Sequence, residues 1–245
     1  MLEKIIRPLT EWYQDNKRIL PWRADRNPYY IWVSEIMLQQ TRVEAVKPYF
    51  KNFISELPTV RELAACPEDR LLKLWEGLGY YNRVRNMQKA AVTIVNEYGG
   101  KLPADYEALK KLSGIGSYTA GAVASIAYGI PVPAVDGNVL RVLARVREDD
   151  RDISRQAVKG QVEKDLLAVM PKDDPGDFNQ ALMELGAVIC VPGGSPKCGE
   201  CPLQKLCRAH EAGRELEYPV KAGKKGRRVE ARTIRLITDG ERIAL

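Results

Sequence analysis

The chain has 245 residues, 45% of them hydrophobic and 29% charged, which supplies apolar material for one large or two modest cores without covalent staples. No apolar run approaches the roughly 20 residues that a membrane-crossing helix needs, so no membrane partner is expected. A net charge of +6 and a sequence pI near 9.0 favour polyanionic partners such as nucleic acid, and a single histidine, His210, argues against chemistry built on a histidine base or a histidine metal cage. Apolar positions recur every three to four residues over 1–17, 28–40, 42–54, 68–76, 83–98, 105–112, 118–128, 137–147, 154–169 and 177–189, which predicts a mostly α-helical chain. Breakers fall between these stretches: Pro21, Asn27-Pro28, Pro58, Pro67, Gly77 and Gly79, Gly99-Gly100, Pro131, Pro133 and the turn at 172–176. The helices should be short and their connections tight.

In the stretch 28–40, Asn27 caps the helix and Pro28 occupies its first turn, while Glu35 has Ile31, Trp32 and Leu38 as neighbours at helical spacing. An acid on such an apolar face loses hydration, so its pKa rises and it can hold and deliver a proton near neutrality; the plainer reading is a glutamate at the edge of an amphipathic helix. Residues 77–85, GLGYYNRVR, put a glycine-flanked tyrosine pair next to Arg83 and Arg85, an aromatic-plus-cation surface. Residues 105–128 read as helix, Gly114-Ile115-Gly116 turn, helix. Glycines at 114 and 116 permit positive φ and expose backbone N–H groups beside a helix N-terminus, an arrangement suited to a phosphate oxygen. Asp136, in VPAVDGNVLRVLAR, immediately precedes a helix. It can cap that helix, and a helix N-terminus keeps a carboxylate ionised and able to stabilise developing positive charge, with Asn138 orienting it.

Four of the five cysteines, Cys190, Cys198, Cys201 and Cys207, are separated by seven, two and five residues. Thiolates packed so closely repel one another, which points to a metal centre: an iron–sulfur cluster is favoured over zinc, because only Cys198 and Cys201 have knuckle spacing. Structural disulfides fit less well, since Cys66 has no partner. Residues 221–228, KAGKKGRR, read as a flexible basic linker. Beyond them ARTIRLITDGERIAL alternates like a strand, turns at Asp239-Gly240 and begins a second strand, as the first piece of a β-containing domain or as a hairpin docked on the helical body.

Taken together, SEIMLQQT, GLGYYNRVRN, LSGIGSYTAGA, VDGNVLRVLAR, FNQALMELGA and the four cysteines occur in an order that resembles the MutY-type adenine DNA glycosylases of the endonuclease III superfamily, from about residue 5 to Cys207. The resemblance implies an all-α fold of two helical modules flanking a DNA-binding cleft, plus a short C-terminal β-hairpin fragment. The implied division is an N-terminal helix (1–25) packing with the cluster module (132–211), a six-helix barrel with the helix-hairpin-helix (26–131), the basic linker (212–228), and the start of a truncated Nudix-like domain (229–245). It also implies a [4Fe-4S] cluster on Cys190, Cys198, Cys201 and Cys207. Trp22, Arg23, Leu38, Val43 and Gln180 match the family's adenine pocket, and Gln39, Gln40 and Tyr80 its wedge into the duplex.

Lyase relatives place a lysine two residues after Gly116 to form a Schiff base; Tyr118 stands there, so base excision without strand cleavage is expected. The implied catalysis has Glu35 protonating N7 of a flipped adenine, Asp136 stabilising the oxocarbenium-like sugar, and Tyr118 orienting Glu35 or the sugar. The implied partner is double-stranded DNA containing A:8-oxoguanine or A:G mismatches, met by a monomer at the nucleoid in a bacterial cytoplasm. Three features depart from the family pattern: a seven-residue gap after Cys190 instead of six, Ser113 in place of proline, and only the first hairpin of the Nudix-like domain, so discrimination of the opposite base should suffer. A thymine-mismatch glycosylase of the same superfamily and a non-catalytic DNA-binding iron–sulfur protein are the competing expectations.

Overall fold

The computed structural model describes residues 1–223, 230–231, 237–238, 241 and 243–244. Helices dominate them: α1 (Leu2–Asn16), α2 (Pro28–Leu38), α3 (Val43–Glu56), α4 (Val60–Ala65), α5 (Glu68–Leu74), α6 (Asn82–Tyr98), α7 (Tyr106–Lys111), α8 (Ser117–Tyr128), α9 (Gly137–Arg147), α10 (Gln156–Leu167), α11 (Pro175–Val188) and α12 (Arg208–Glu211). Side-chain caps set three of the starts. Asn27 Oδ1 accepts the Tyr29 N–H at 2.9 Å with Pro28 in the first turn of α2, Asp105 Oδ1 accepts the Ala108 N–H at 2.7 Å, and Asp136 Oδ1 accepts the Val139 N–H at 2.8 Å. The sequence reading misses α4 and α12, which span six and four residues and contain too few turns for a periodicity to register.

Two separate groups of buried side chains form around these helices. The first surrounds α2 and α8 and includes Trp32, Phe53, Trp75, Met87 and Val123. The second brings Ile5, Leu9 and Tyr13 of α1, the first helix in the chain, against Val139, Leu143, Phe178, Leu182 and Leu185 of α9 and α11. Helix α8 packs on α2 from one side and α11 from the other. Small residues permit the close approaches: a β-carbon on Gly176 of α11 would lie 2.7 Å from the Ile126 α-carbon of α8, and one on Gly121 of α8 would lie 2.2 Å from the Pro133 carbonyl oxygen. Fully buried Asn179 then ties the strand-like crossing at 132–134 to α8, accepting the Ala134 N–H at 3.0 Å and donating to the Val132 carbonyl at 2.9 Å and Ser125 Oγ at 2.8 Å. Every polar atom of that amide is paired, as burial requires.

At the C-terminal end β1 (Ile237–Thr238) pairs antiparallel with β2 (Ile243–Ala244), Ile237 opposite Ala244. The expected turn at Asp239-Gly240, most of the basic linker and most of the Nudix-like start lie outside the described residues. Among the described residues no helix is long and apolar enough to cross a membrane.

Candidate active site

Helix α2 is apolar almost all round, with Ile31, Trp32, Val33, Ile36 and Met37 each at most 3% exposed, so it is buried on every face rather than amphipathic, and it carries Glu35 inside with it. Glu35 is 7% exposed. Burial pushes its carboxyl up to about 7; the Tyr118 hydroxyl, donating to Oε2 at 2.5 Å, pulls it down, the nearby Asp136 charge raises it, and Arg23 lowers it. At neutral pH the group therefore exists as acid and base in comparable amounts, the condition under which one carboxyl serves both roles. Tyr118 is held well above its ordinary value, first by burial and then by Glu35, so it stays a phenol and a donor.

Asp136 faces the same cavity. Its Oδ1 takes the Val139 N–H and its Oδ2 the Asn138 Nδ2 at 2.6 Å. Asn138 Oδ1 in turn accepts from Arg141 Nη2 at 2.8 Å, and Arg141 is anchored on the carbonyls of Gly186 and Cys190, both at 2.7 Å. The sequence reading expected the helix N-terminus to hold Asp136 ionised. Those donors are present and hold the carboxyl down, while burial raises it above its ordinary value on balance.

A cavity of about 1010 Å³ opens between the two groups of helices. Trp22, Arg23, Glu35, Leu38, Gln39, Gln40, Val43, Tyr118, Asp136, Asn138 and Gln180 all line it, drawn from five separate stretches of chain. Tyr80, Gly114 and Gly116 lie outside its lining. Tyr80 is 64% exposed with φ 48°, and its ring lies over the Arg83 guanidinium at 5.6 Å. Gly114 takes φ 76° in the turn between α7 and α8. Gly116 does not need positive φ: it is the extended residue before α8, at φ −90°, and a β-carbon there would meet nothing within 4 Å, so the space over the α8 N-terminus stays open to a ligand.

Arg18, Lys159 and Glu184 are among the cavity residues that escape the sequence reading. Glu184, 1% exposed on α11, accepts from Arg18 at 2.5 and 3.0 Å and from Arg23 at 2.9 Å. Burial alone pushes its carboxyl up, and the two guanidiniums outweigh that and hold it below the ordinary range. It is thus a fixed anion beside two cations in the wall. Lys159 of α10 lines the cavity as well, with its nearest carboxylate, Glu163, at 3.8 Å. No local pattern marks Arg18, Glu184 or Lys159, because their partners are far away in sequence or their role is set by which wall they occupy.

The four clustered cysteines converge beside α9. Arg145 Nη1 lies 3.2 Å from Cys190 Sγ and the Arg145 carbonyl 3.4 Å from Cys207 Sγ. Lys197 N–H bonds back to the Ile189 carbonyl at 3.0 Å, closing the longer loop so that Cys190 and Cys198 start side by side. Burial first, with the neighbouring cysteines adding to it, holds the Cys198 thiol up at about 11 and Cys201 at about 12. Thiols held up in this way need a cationic centre to become thiolates, and an all-sulfur set suits iron–sulfur chemistry. Cys198 also has His210 and Glu215 ligand atoms within 4.8 Å, but those two bond each other.

The sequence model described as HhH-GPD superfamily base excision DNA repair protein matches residues 33–169, and that of the iron-sulfur binding domain of endonuclease III matches residues 194–207, in agreement with a [4Fe-4S] cofactor. The adenine DNA glycosylase of Rattus norvegicus is 45% identical over 214 residues, 84% of this chain and 41% of that protein. That of Buchnera aphidicola subsp. Schizaphis graminum is 39% identical over 218 residues, 89% of this chain and 62% of that protein. The chain thus spans about two fifths of the mammalian relative's length. Among solved structures, a thermostable thymine-DNA glycosylase superposes with a TM-score of 0.76 at 29% identity, over 86% of this chain and 97% of that one. A non-covalent endonuclease III–DNA complex gives 0.71 at 28% identity, over 86% and 96%.

Proposed function

The chain belongs to the HhH-GPD superfamily of base excision DNA repair proteins, and from that membership we propose that it is a monofunctional DNA glycosylase, hydrolysing the N-glycosidic bond of adenine mispaired with 8-oxoguanine or guanine in double-stranded DNA. The observation that carries the reading is the pairing of two carboxyls in one cavity, buried Glu35 with a pKa of about 7 and half-buried Asp136, with a tyrosine where a lyase needs an amine.

Adenine leaves poorly as an anion, so protonation at N7 comes first, and Glu35 is the donor. Cleavage leaves an oxocarbenium-like sugar whose positive charge is stabilised by Asp136 as carboxylate, with Asn138 and the α9 N-terminus fixing its two oxygens. Glu35, deprotonated by the first step, then accepts the proton of the attacking water. Tyr118 holds Glu35 in place throughout. Trp22, Arg23, Leu38, Val43 and Gln180 enclose the flipped base, and the Arg18–Glu184–Arg23 group gives that wall its charge. Gln39, Gln40 and Tyr80 enter the duplex, the Gly114–Gly116 turn takes a phosphate, and Cys190, Cys198, Cys201 and Cys207 would hold the [4Fe-4S] cluster.

Single-turnover excision from duplexes bearing A:8-oxoguanine, A:G, T:G and A:T tests the reading. Release of adenine from the first two supports it, and release of thymine from T:G alone would replace it with the activity named for the structural neighbour. Borohydride should not trap the protein on substrate DNA; trapping as efficient as that of a lyase refutes the monofunctional assignment.

A further inference from the structure

Two non-glycine residues in the DNA-facing loops, Gln40 and Tyr80, have left-handed backbones, with φ 59° and 48°. Backbones in that region persist where surrounding structure holds them, and such sites cluster at ligand clamps. Both residues are exposed, and they come from different loops, one following α2 and one preceding α6. The Arg83 side chain joins those loops. Arg83 Nη1 donates to the carbonyls of Ile36 at 2.8 Å, Met37 at 3.1 Å and Gln39 at 2.7 Å, and Nη2 donates to those of Leu78 at 3.0 Å and Gly79 at 3.2 Å. The guanidinium also lies 5.4 Å from the Trp75 ring centre and 5.6 Å from that of Tyr80.

The chemistry suits arginine alone. The carbonyls of Ile36, Met37 and Gln39 are those left open where α2 ends, and a cation there complements the helix dipole. A planar fork serves carbonyls on two sides while stacking on aromatic rings, whereas a lysine ammonium is a point charge that reaches one side. The sequence suggests an exposed cation for DNA; the structure turns Arg83 inward instead, its Nε buried without a partner.

We propose that Arg83 is a positioning residue that locks Gln40 and Tyr80 into one rigid two-pronged wedge, so that base extrusion is driven by a preformed projection rather than by two mobile loops. This rests on the glycosylase reading above.

The test compares wild type with Arg83→Lys and Arg83→Gln, whose folding is checked by helical circular dichroism at the assay temperature. Single-turnover excision is measured on an A:8-oxoguanine duplex and on the same duplex with the opposite nucleotide deleted, so that adenine is already unpaired. The expected result is a loss of about 10- to 100-fold on the paired substrate, less than about threefold on the unpaired one, and an unchanged pH profile. In a Gln40→Ala/Tyr80→Ala background, Arg83→Lys should cost less than about twofold more, because the parts it holds are gone. Equal losses on both substrates, additive losses in the cycle, or unfolding of both Arg83 variants would overturn the proposal, the last by making Arg83 a support of the fold alone. If wild type excises adenine from neither substrate, the glycosylase reading fails. The wedge is then read by fluorescence of 2-aminopurine placed beside the mismatch, which wild type should raise on binding and Arg83→Lys should raise less; equal rises overturn the proposal.

Discussion

Replacing Glu35 with glutamine should make the protein more stable and nearly inactive, and the stability gain should depend on pH. Between the ordinary value of 4.5 and the native value of about 7 the folded chain holds a proton that the unfolded chain has released. Stability therefore falls as pH rises through that window and levels off above it. At pH 8 the accumulated cost of ionising Glu35 in its enclosure is about 3 kcal/mol, on the order of 6–12 °C in melting temperature for a chain of this size. Glutamine resembles the protonated acid, still accepts from Tyr118 and never ionises, so the two proteins should unfold alike near pH 4.5 and diverge towards pH 8. Urea unfolding followed by circular dichroism at pH 5 and pH 8 measures the difference, and single-turnover excision by the same variant should fall by about 10²- to 10⁴-fold or more. Stability curves that stay parallel between those pH values would show that Glu35 is not enclosed as described, and near-normal excision would remove it from the chemistry.

Excision by the wild type should decline about tenfold per pH unit above about 7 as Glu35 loses its proton; Tyr118→Phe should move that decline to higher pH, because the phenol stabilises the ionised carboxylate, and Asp136→Asn to lower pH while cutting the rate by orders of magnitude with duplex binding retained. A pH–rate series on the three proteins reads both directions. Cys201→Ser should abolish the visible absorption and lower the iron content of the purified protein, whereas Cys66→Ser, buried far from α9 among the first group of helices, should change neither. Gly121→Ala should destabilise by about 1–3 kcal/mol, because its β-carbon would meet the Pro133 carbonyl at 2.2 Å, and denaturant midpoints measure that loss.

Helix content, the caps at Asn27 and Asp136, and the grouping of four thiols are set by neighbours within a few residues, so they can be read from spacing alone. The proton affinity of Glu35 can be read only halfway: Ile31 and Trp32 announce an apolar face, but the full burial comes from α8 closing over α2, and the added contribution of Asp136 comes from a residue about a hundred positions later. Arg18 with Glu184 and the five carbonyls on Arg83 leave no trace in any local window. The sequence by itself determined where the longer helices form, since those follow from short-range sterics and hydrophobic period. Tertiary structure alone decided the charge each carboxyl carries and which way each arginine turns, because desolvation and Coulomb energy depend on distance through space, and the chain brings those groups together only when the two cores meet.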